Sequence, residues 1–328
     1  MKKLTLTAAA TLAAAALAAP AAHAVSDAPP VPTAHAAVSL KGVKLRIGGQ
    51  TDGLRSLLVA SGVLTGKAYS ISWSTFTSGP PLLEALQAGK IDLGGVGNTP
   101  PLFAAATKAN FRIVAGIPQR NRDGDTLLVP KSSSAKSLAD LRGKRIAYTR
   151  GSSGHGFLIQ ALKKAGLKPS DVKLTDLTPG DSLAAFSSGK VDAWATWEPF
   201  VTIASANAKV LVSGKGYAAS GLSFVTATTS ALSDVKRRTA IRDYLVRLRK
   251  ALKWGATHQD AWAKAFNAES NLPVDLARKS IGKTLVDVVP ARGAIISSEQ
   301  TLANALASAG ALKKVDVRSI VSNQLAGS

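Results

Sequence analysis

The chain has 328 residues, 46% hydrophobic and 19% charged, a globular balance that excludes general disorder and is long enough for two domains of ordinary size. The formal net charge is +21, but the basic residues are spread along the chain without interleaved aromatics, so the excess suits weak steering of an anionic ligand and not a nucleic-acid groove. There is no cysteine, which excludes disulfides, thiolate metal sites, cysteine nucleophiles and a lipid anchor on a cysteine after a signal.

The N-terminus reads as a secretory signal. Lys2 and Lys3 form a positive start, Leu4 to Pro20 is an Ala/Leu-rich apolar stretch, and Ala22-His23-Ala24 supplies a small-x-small cleavage pattern. Residues 1–24 are therefore expected to be removed on export, leaving a freely diffusing periplasmic protein. Residues 25–40 are Pro/Ala-rich without periodicity and read as a flexible leader, with Ala34-His35-Ala36 as a second cleavage pattern.

From Val43 onward strands and helices alternate. The pattern predicts strands at 43–48, 69–74, 91–96 and 111–117, and helices at 52–60, 80–88 and 100–107 between them. A strand at 125–129 and a helix at 137–141 follow. Then come strands at 144–149, 172–177 and 191–196, with helices at 154–165, 181–188 and 199–205. The second series repeats the first: Leu83 to Asp92 (LEALQAGKID) aligns with Leu183 to Asp192 (LAAFSSGKVD) exactly 100 residues on. Each copy is an amphipathic helix, a terminating Gly and a short strand, the mark of duplicated domains.

The fold class is thus α/β, two-lobed, with mostly parallel sheets. Asp125 to Pro130 and Leu222 to Thr228 are strand-like runs flanking the second copy and read as two hinge crossings. Lobe one is expected to comprise 41–124 and 222–328, and lobe two 125–221, with a cleft between them. Beyond Asp234 the chain turns helical. Its densest basic run, Lys236 to Lys253, carries Ile241, Leu245, Leu248 and Leu252 at helical spacing, so it reads as a helix with one solvated face.

In parallel α/β sheets ligands sit beyond the carboxyl ends of strands, where helix N-termini point. That rule selects Gly151-Ser152-Ser153-Gly154-His155-Gly156 first, a loop of backbone N–H and hydroxyl donors at a helix start. Ser78 and Gly79 of Phe76 to Pro81, Asn98 and Thr99 of Gly97 to Pro101, and Gln50 after the first strand occupy equivalent places. Asp181 at the start of a further helix, and Glu198 beside the tryptophans, complete the candidate set. Trp194 and Trp197 flank a strand end, one expected to wall the cleft against an organic tail and the other to pack.

No enzyme site emerges. His155 neighbours Ser152 and Ser153, but there is no G-x-S-x-G elbow, no acid partner and no H-E-x-x-H spacing. No cofactor or metal is expected.

The same loops carry a family resemblance. Leu45-Arg46-Ile47-Gly48, Phe76 to Leu86 (FTSGPPLLEAL), Gly89 to Gly94 (GKIDLG), Gly97-Asn98-Thr99-Pro100-Pro101, Gly151 to His155 and Val191 to Pro199 (VDAWATWEP) resemble the aliphatic-sulfonate-binding periplasmic proteins of ABC importers, in the wider sulfonate/taurine/nitrate group. The resemblance implies a type II periplasmic-binding fold, a monomeric carrier that captures a sulfonate on the Gly-Ser-Ser loop, and delivery to a permease with its ATPase subunit. Taurine, an aromatic sulfonate, a sulfate ester or nitrate are its alternative ligands. Arg120 and Arg122 are more basic than the resemblance implies and, if they reach the cleft, favour a sulfate ester or a second anion.

Overall fold

The computed structural model describes residues 38–107, 109–120, 123–281 and 287–325. The signal, most of the leader and Arg122 lie outside these residues. No helix among the described residues is long and apolar enough to cross a membrane.

The first series runs β1 (Lys44–Gln50), α1 (Leu54–Ala60), β2 (Ser70–Phe76), α2 (Gly79–Gln87), β3 (Leu93–Gly97), α3 (Thr99–Ala105) and β4 (Phe111–Pro118). The second runs β5 (Asp125–Pro130), β6 (Arg145–Tyr148), α4 (Ser153–Lys164), β7 (Lys173–Asp176), α5 (Pro179–Ser187), β8 (Ala193–Trp197), α6 (Phe200–Ala204) and β9 (Ala208–Ser213). The chain then returns through β10 (Leu222–Thr228) into α7 (Thr229–Ser233), α8 (Val235–Thr257), α9 (Gln259–Ser270), α10 (Val274–Ile281) and α11 (Ala294–Ser308). The helix expected at 137–141 is one 3-10 turn, Leu138–Leu141. β9 has no counterpart among the predicted elements: it is a sheet edge with exposed Lys209 and Val210, so it lacks the continuous apolar run of a buried strand.

Two five-stranded sheets result, ordered β2-β1-β3-β10-β4 and β7-β6-β8-β5-β9. They are the same sheet built twice. In the first, β1 pairs parallel with β2 and β3, and β10 runs antiparallel between β3 and β4. In the second, β6 pairs parallel with β7 and β8, and β5 runs antiparallel between β8 and β9. In each sheet four strands run one way, and the strand against them is the one that crosses from the other lobe.

The repeat extends to single hydrogen bonds. Asp92 accepts the Arg46 backbone N–H at 2.9 Å and pairs with its guanidinium at 2.6 Å. Asp192 does the same for Arg145, at 2.8 Å and 3.0 Å. Each Asp follows a helix closed by a glycine in the left-handed region, Gly89 at φ +66° and Gly189 at φ +69°, where a side chain would be strained.

Helices cover both faces of both sheets. The apolar stripe of α8, Ile241, Leu245, Leu248 and Leu252, is buried against Leu45 and Ile47 of β1 together with Trp262 and Phe266 of α9, leaving Lys236, Arg242, Lys250 and Lys253 exposed, while Arg247 and Arg249 reach the Val63 and Val288 carbonyls. On the other face Leu82, Leu86, Phe111 and Phe224 pack with Leu302 and Leu306 of α11. Lobe two has its own pair of cores, one around Phe157, Leu158 and Leu162, the other around Phe186 and Trp194.

Candidate functional site

The strand ends of both lobes meet around one cavity of about 80 Å³, lined from lobe one by Gln50, Asp52, Leu54, Gly79, Gly95 to Gly97, Pro100, Ile117 and Gln119. Lobe two and the crossings add Asp125, Ser152, Ser153, Trp197, Glu198 and Gly221 to Ser223. At this volume it is far below the roughly 300–1,000 Å³ of sites for drug-sized molecules, so it suits a ligand of few non-hydrogen atoms.

Glycines let the lobes approach this closely. A Cβ built on Gly79 would sit 2.3 Å from Pro100 Cγ, and one on Gly156 would sit 2.1 Å from Thr99 Oγ1. The first turn of α4 is thereby seated against the starts of α2 and α3.

Ser152 caps α4: its hydroxyl donates to the Thr149 carbonyl at 2.6 Å and accepts the His155 N–H at 3.3 Å. Ser153 and Gly154 then present first-turn N–H groups that have no intrahelical acceptor, and α4, at 12 residues, is the longest helix that begins at the cavity. Gln50 brings an amide whose Nε2 donates to the Gly95 carbonyl at 3.3 Å. Trp197 ends β8 with its ring edge-on to Phe200, 5.8 Å between centroids.

Carboxylates share the cavity wall. Asp125, the first residue of the crossing strand β5, is buried and pushed up to about 6 by desolvation, against hydrogen bonds from Ser153, Asn98 and the Gly221 N–H that favour its charged form. Asp52 accepts the Leu54 N–H at 3.1 Å and is raised to about 6 by burial, with the charge of Glu269 adding to the rise. Glu198 accepts the Thr202 N–H at 3.2 Å.

Six of the residues selected from the sequence line this cavity: Gln50, Gly79, Ser152, Ser153, Trp197 and Glu198. The other six lie elsewhere, each for a local reason. Asn98 and Thr99 are buried and saturated, Asn98 Nδ2 donating to the Ala219 carbonyl at 2.8 Å and Thr99 Oγ1 to Asn98 Oδ1 at 2.7 Å, so they tie α3 to the second crossing. Ser78 is buried at the start of α2, outside the cavity. Asp181 is exposed and closes a cap with Thr178, 2.7 Å from its hydroxyl. Trp194 is fully buried between Phe186 and Phe200, because three positions along a strand put it on the face opposite Trp197. His155 is buried between Phe103 and Tyr148, and its Nδ1 accepts the Gly151 N–H at 3.2 Å. Burial, then the nearby Arg150, press its pKa down to about 4. Arg120 is exposed and is not among the lining residues.

Sequence reasoning missed Asp52, Gln119, Asp125 and Gly221 to Ser223. The signal for most of them was the crossings themselves: both hinge strands begin at the cleft, so Asp125 and the stretch before β10 had to face it.

The fold and cavity have known counterparts. A family model described as the phosphonate-type periplasmic substrate-binding protein of ABC transporters matches residues 69–276. A Bacillus subtilis protein named for binding aliphatic sulfonates is 31% identical over 293 residues, which is 85% of this chain and 86% of that protein. The chain belongs to the sulfonate-binding periplasmic proteins of ABC importers. An Escherichia coli relative of this binding protein, also named for aliphatic sulfonates, is 44% identical over 163 residues, about half of each chain. The alkanesulfonate-binding protein SsuA from Xanthomonas axonopodis pv. citri, solved bound to MOPS, superposes with a TM-score of 0.79 at 32% identity, covering 86% of this binding protein and 99% of that chain.

Proposed function

We propose that this protein captures a small sulfonate in the interlobe cavity and, as a monomer in the periplasm, delivers it to a membrane permease driven by an ATPase subunit. The observation that carries the reading is the cavity's donor set. The first-turn N–H of Ser153 and the amide side chains of Gln50 and Gln119 line it, with no lysine, arginine or histidine among the described lining residues. Neutral dipoles of this kind hold a monoanion without burying an unpaired cation. The names of the relatives favour sulfonate over the phosphonate of the family model, and so does the charge. A phosphonate carries up to two negative charges near neutral pH and would meet Asp52, Asp125 and Glu198 on the cavity wall. Catalysis is not part of this reading, because the Ser152 hydroxyl and His155 Nδ1 are each committed to backbone partners and make no nucleophile–base pair.

Titration calorimetry with ethanesulfonate, ethylphosphonate, sulfate and nitrate tests it. Tightest binding of the sulfonate is expected. Tighter binding of ethylphosphonate, or of an inorganic anion, overturns the assignment.

A further inference from the structure

The segment between β9 and β10 delivers Gly221, Leu222 and Ser223 to the cavity wall. Its Ala218 and Ala219 lie outside any helix or strand, so their backbone groups need partners from elsewhere. Side chains supply them. Ala218 is held by Gln160 of α4, its N–H donating to Oε1 at 3.1 Å and its carbonyl accepting from Nε2 at 3.0 Å. Ala219 is held from the other lobe: its N–H donates to Ser298 Oγ of α11 at 2.8 Å, and its carbonyl accepts from Asn98 Nδ2 at 2.8 Å. That carbonyl also accepts the Leu222 N–H at 3.0 Å, so the orientation of Ala219 sets where β10 starts. Ala219 is buried at φ +56°, in the left-handed region that a residue with a Cβ keeps only when its surroundings hold it there. Adjacent residues are thus gripped by opposite lobes at a point of backbone strain.

We infer that Gln160 and Ser298 are positioning residues for the ligand site, acting through Ala218 and Ala219 on the wall from Gly221 to Ser223. Neither lines the cavity itself. Gln160 moves with α4, whose start carries Ser152 and Ser153 to the cavity, and Ser298 moves with α11, which packs on the first sheet. Any rotation of one lobe against the other therefore falls on the dihedral angles between the two grips. While both hold, this part of the wall is fixed to both lobes at once. Without either side chain, Ala219 leaves the left-handed region and takes the start of β10, and the wall with it, away from the ligand. The inference does not depend on which anion the cavity holds.

Gln160→Ala and Ser298→Ala test it, and both side chains are only half-buried, so each variant is expected to fold. Titration calorimetry with ethanesulfonate should show each variant binding about tenfold more weakly than the wild type. The thermal midpoint of the ligand-free protein should stay nearly unchanged. Ala219→Gly supplies a readout that a merely structural role would not move. Glycine adopts a positive φ without steric cost, so in the Ala219→Gly background the same two substitutions should weaken binding about threefold or less. Amide hydrogen exchange reads the joint without a ligand: in Ser298→Ala the Leu222 amide should exchange about tenfold faster or more, while those in the middle of α4 and α11 keep their rates. Unchanged affinity in both single variants overturns the inference, and so does a loss of the same size with glycine at 219. If ethanesulfonate fails to bind the wild type, the sulfonate reading falls and the exchange rates decide, an unaltered Leu222 amide overturning the inference as well.

Discussion

Gly156 is the sharpest place to perturb the closed arrangement of the lobes. It lies in the first turn of α4, and a Cβ there would stand 2.1 Å from Thr99 Oγ1 and 3.2 Å from Leu302 Cδ1, both in lobe one. Thr99 has no room to yield: it is fully buried and its hydroxyl donates to Asn98 Oδ1 at 2.7 Å. Within α4 itself alanine is the better helix former, by about 0.5–1 kcal/mol. Gly156→Ala therefore acts with opposite signs on the two states. In an open form the new methyl meets nothing from lobe one, and lobe two gains slightly. In the closed form it imposes an overpacking penalty of about 1–3 kcal/mol, which weakens ligand binding about 5- to 150-fold. Titration calorimetry should show that loss, while the thermal midpoint of the ligand-free protein stays level or rises. Small-angle scattering of the ligand-free variant should give a larger radius of gyration than the wild type. Unchanged affinity would refute the reasoning, since it would mean that the contact between α4 and Thr99 is not part of the ligand-bound form.

The two tryptophans of β8 should separate cleanly. Trp194→Ala removes a fully buried ring and should cost about 3–5 kcal/mol of stability, read as a lowered thermal midpoint; Trp197→Ala should leave the midpoint nearly unchanged and weaken ligand binding, and the reverse pattern would sink the assignment. The duplicated ion pairs should differ in worth: Asp92→Ala, which removes a buried carboxylate and its hydrogen bonds, should cost about 1.5–3 kcal/mol, against about 1 kcal/mol for the more exposed Asp192→Ala, measured by urea unfolding. The stability of the ligand-free protein should carry the mark of Asp125. Its pKa rises to about 6 in the folded state, so the folded protein holds a proton that the unfolded chain releases, and stability falls as pH climbs from about 4 to about 6. Over that window Asp125→Asn should gain on the wild type by up to about 3 kcal/mol, while His155, depressed to about 4 and acting in the opposite sense, cancels in the comparison. A pH-independent difference in unfolding free energy would contradict the burial argument.

Much of this was written in local pattern. The repeat of LEALQAGKID in LAAFSSGKVD announced two equivalent sheets, and the observed strand orders are copies of each other down to the Arg–Asp pairs. Alternating apolar strands and glycine-closed helices are short-range features, so the α/β class and both crossings were legible before any tertiary contact was known. The identity of the cavity wall was not. A strand end selects which loops face a cleft, but whether Asn98 and Thr99 offer their hydrogen bonds to a ligand depended on Ala219, more than 100 residues away. Whether Trp194 or Trp197 lined the cavity turned on which side of β8 the helices α5 and α6 covered. The convergence of Asp52, Asp125 and Glu198 has no sequence signature, because three carboxylates spread over nearly 150 residues become one electrostatic environment only when the lobes meet and exclude water.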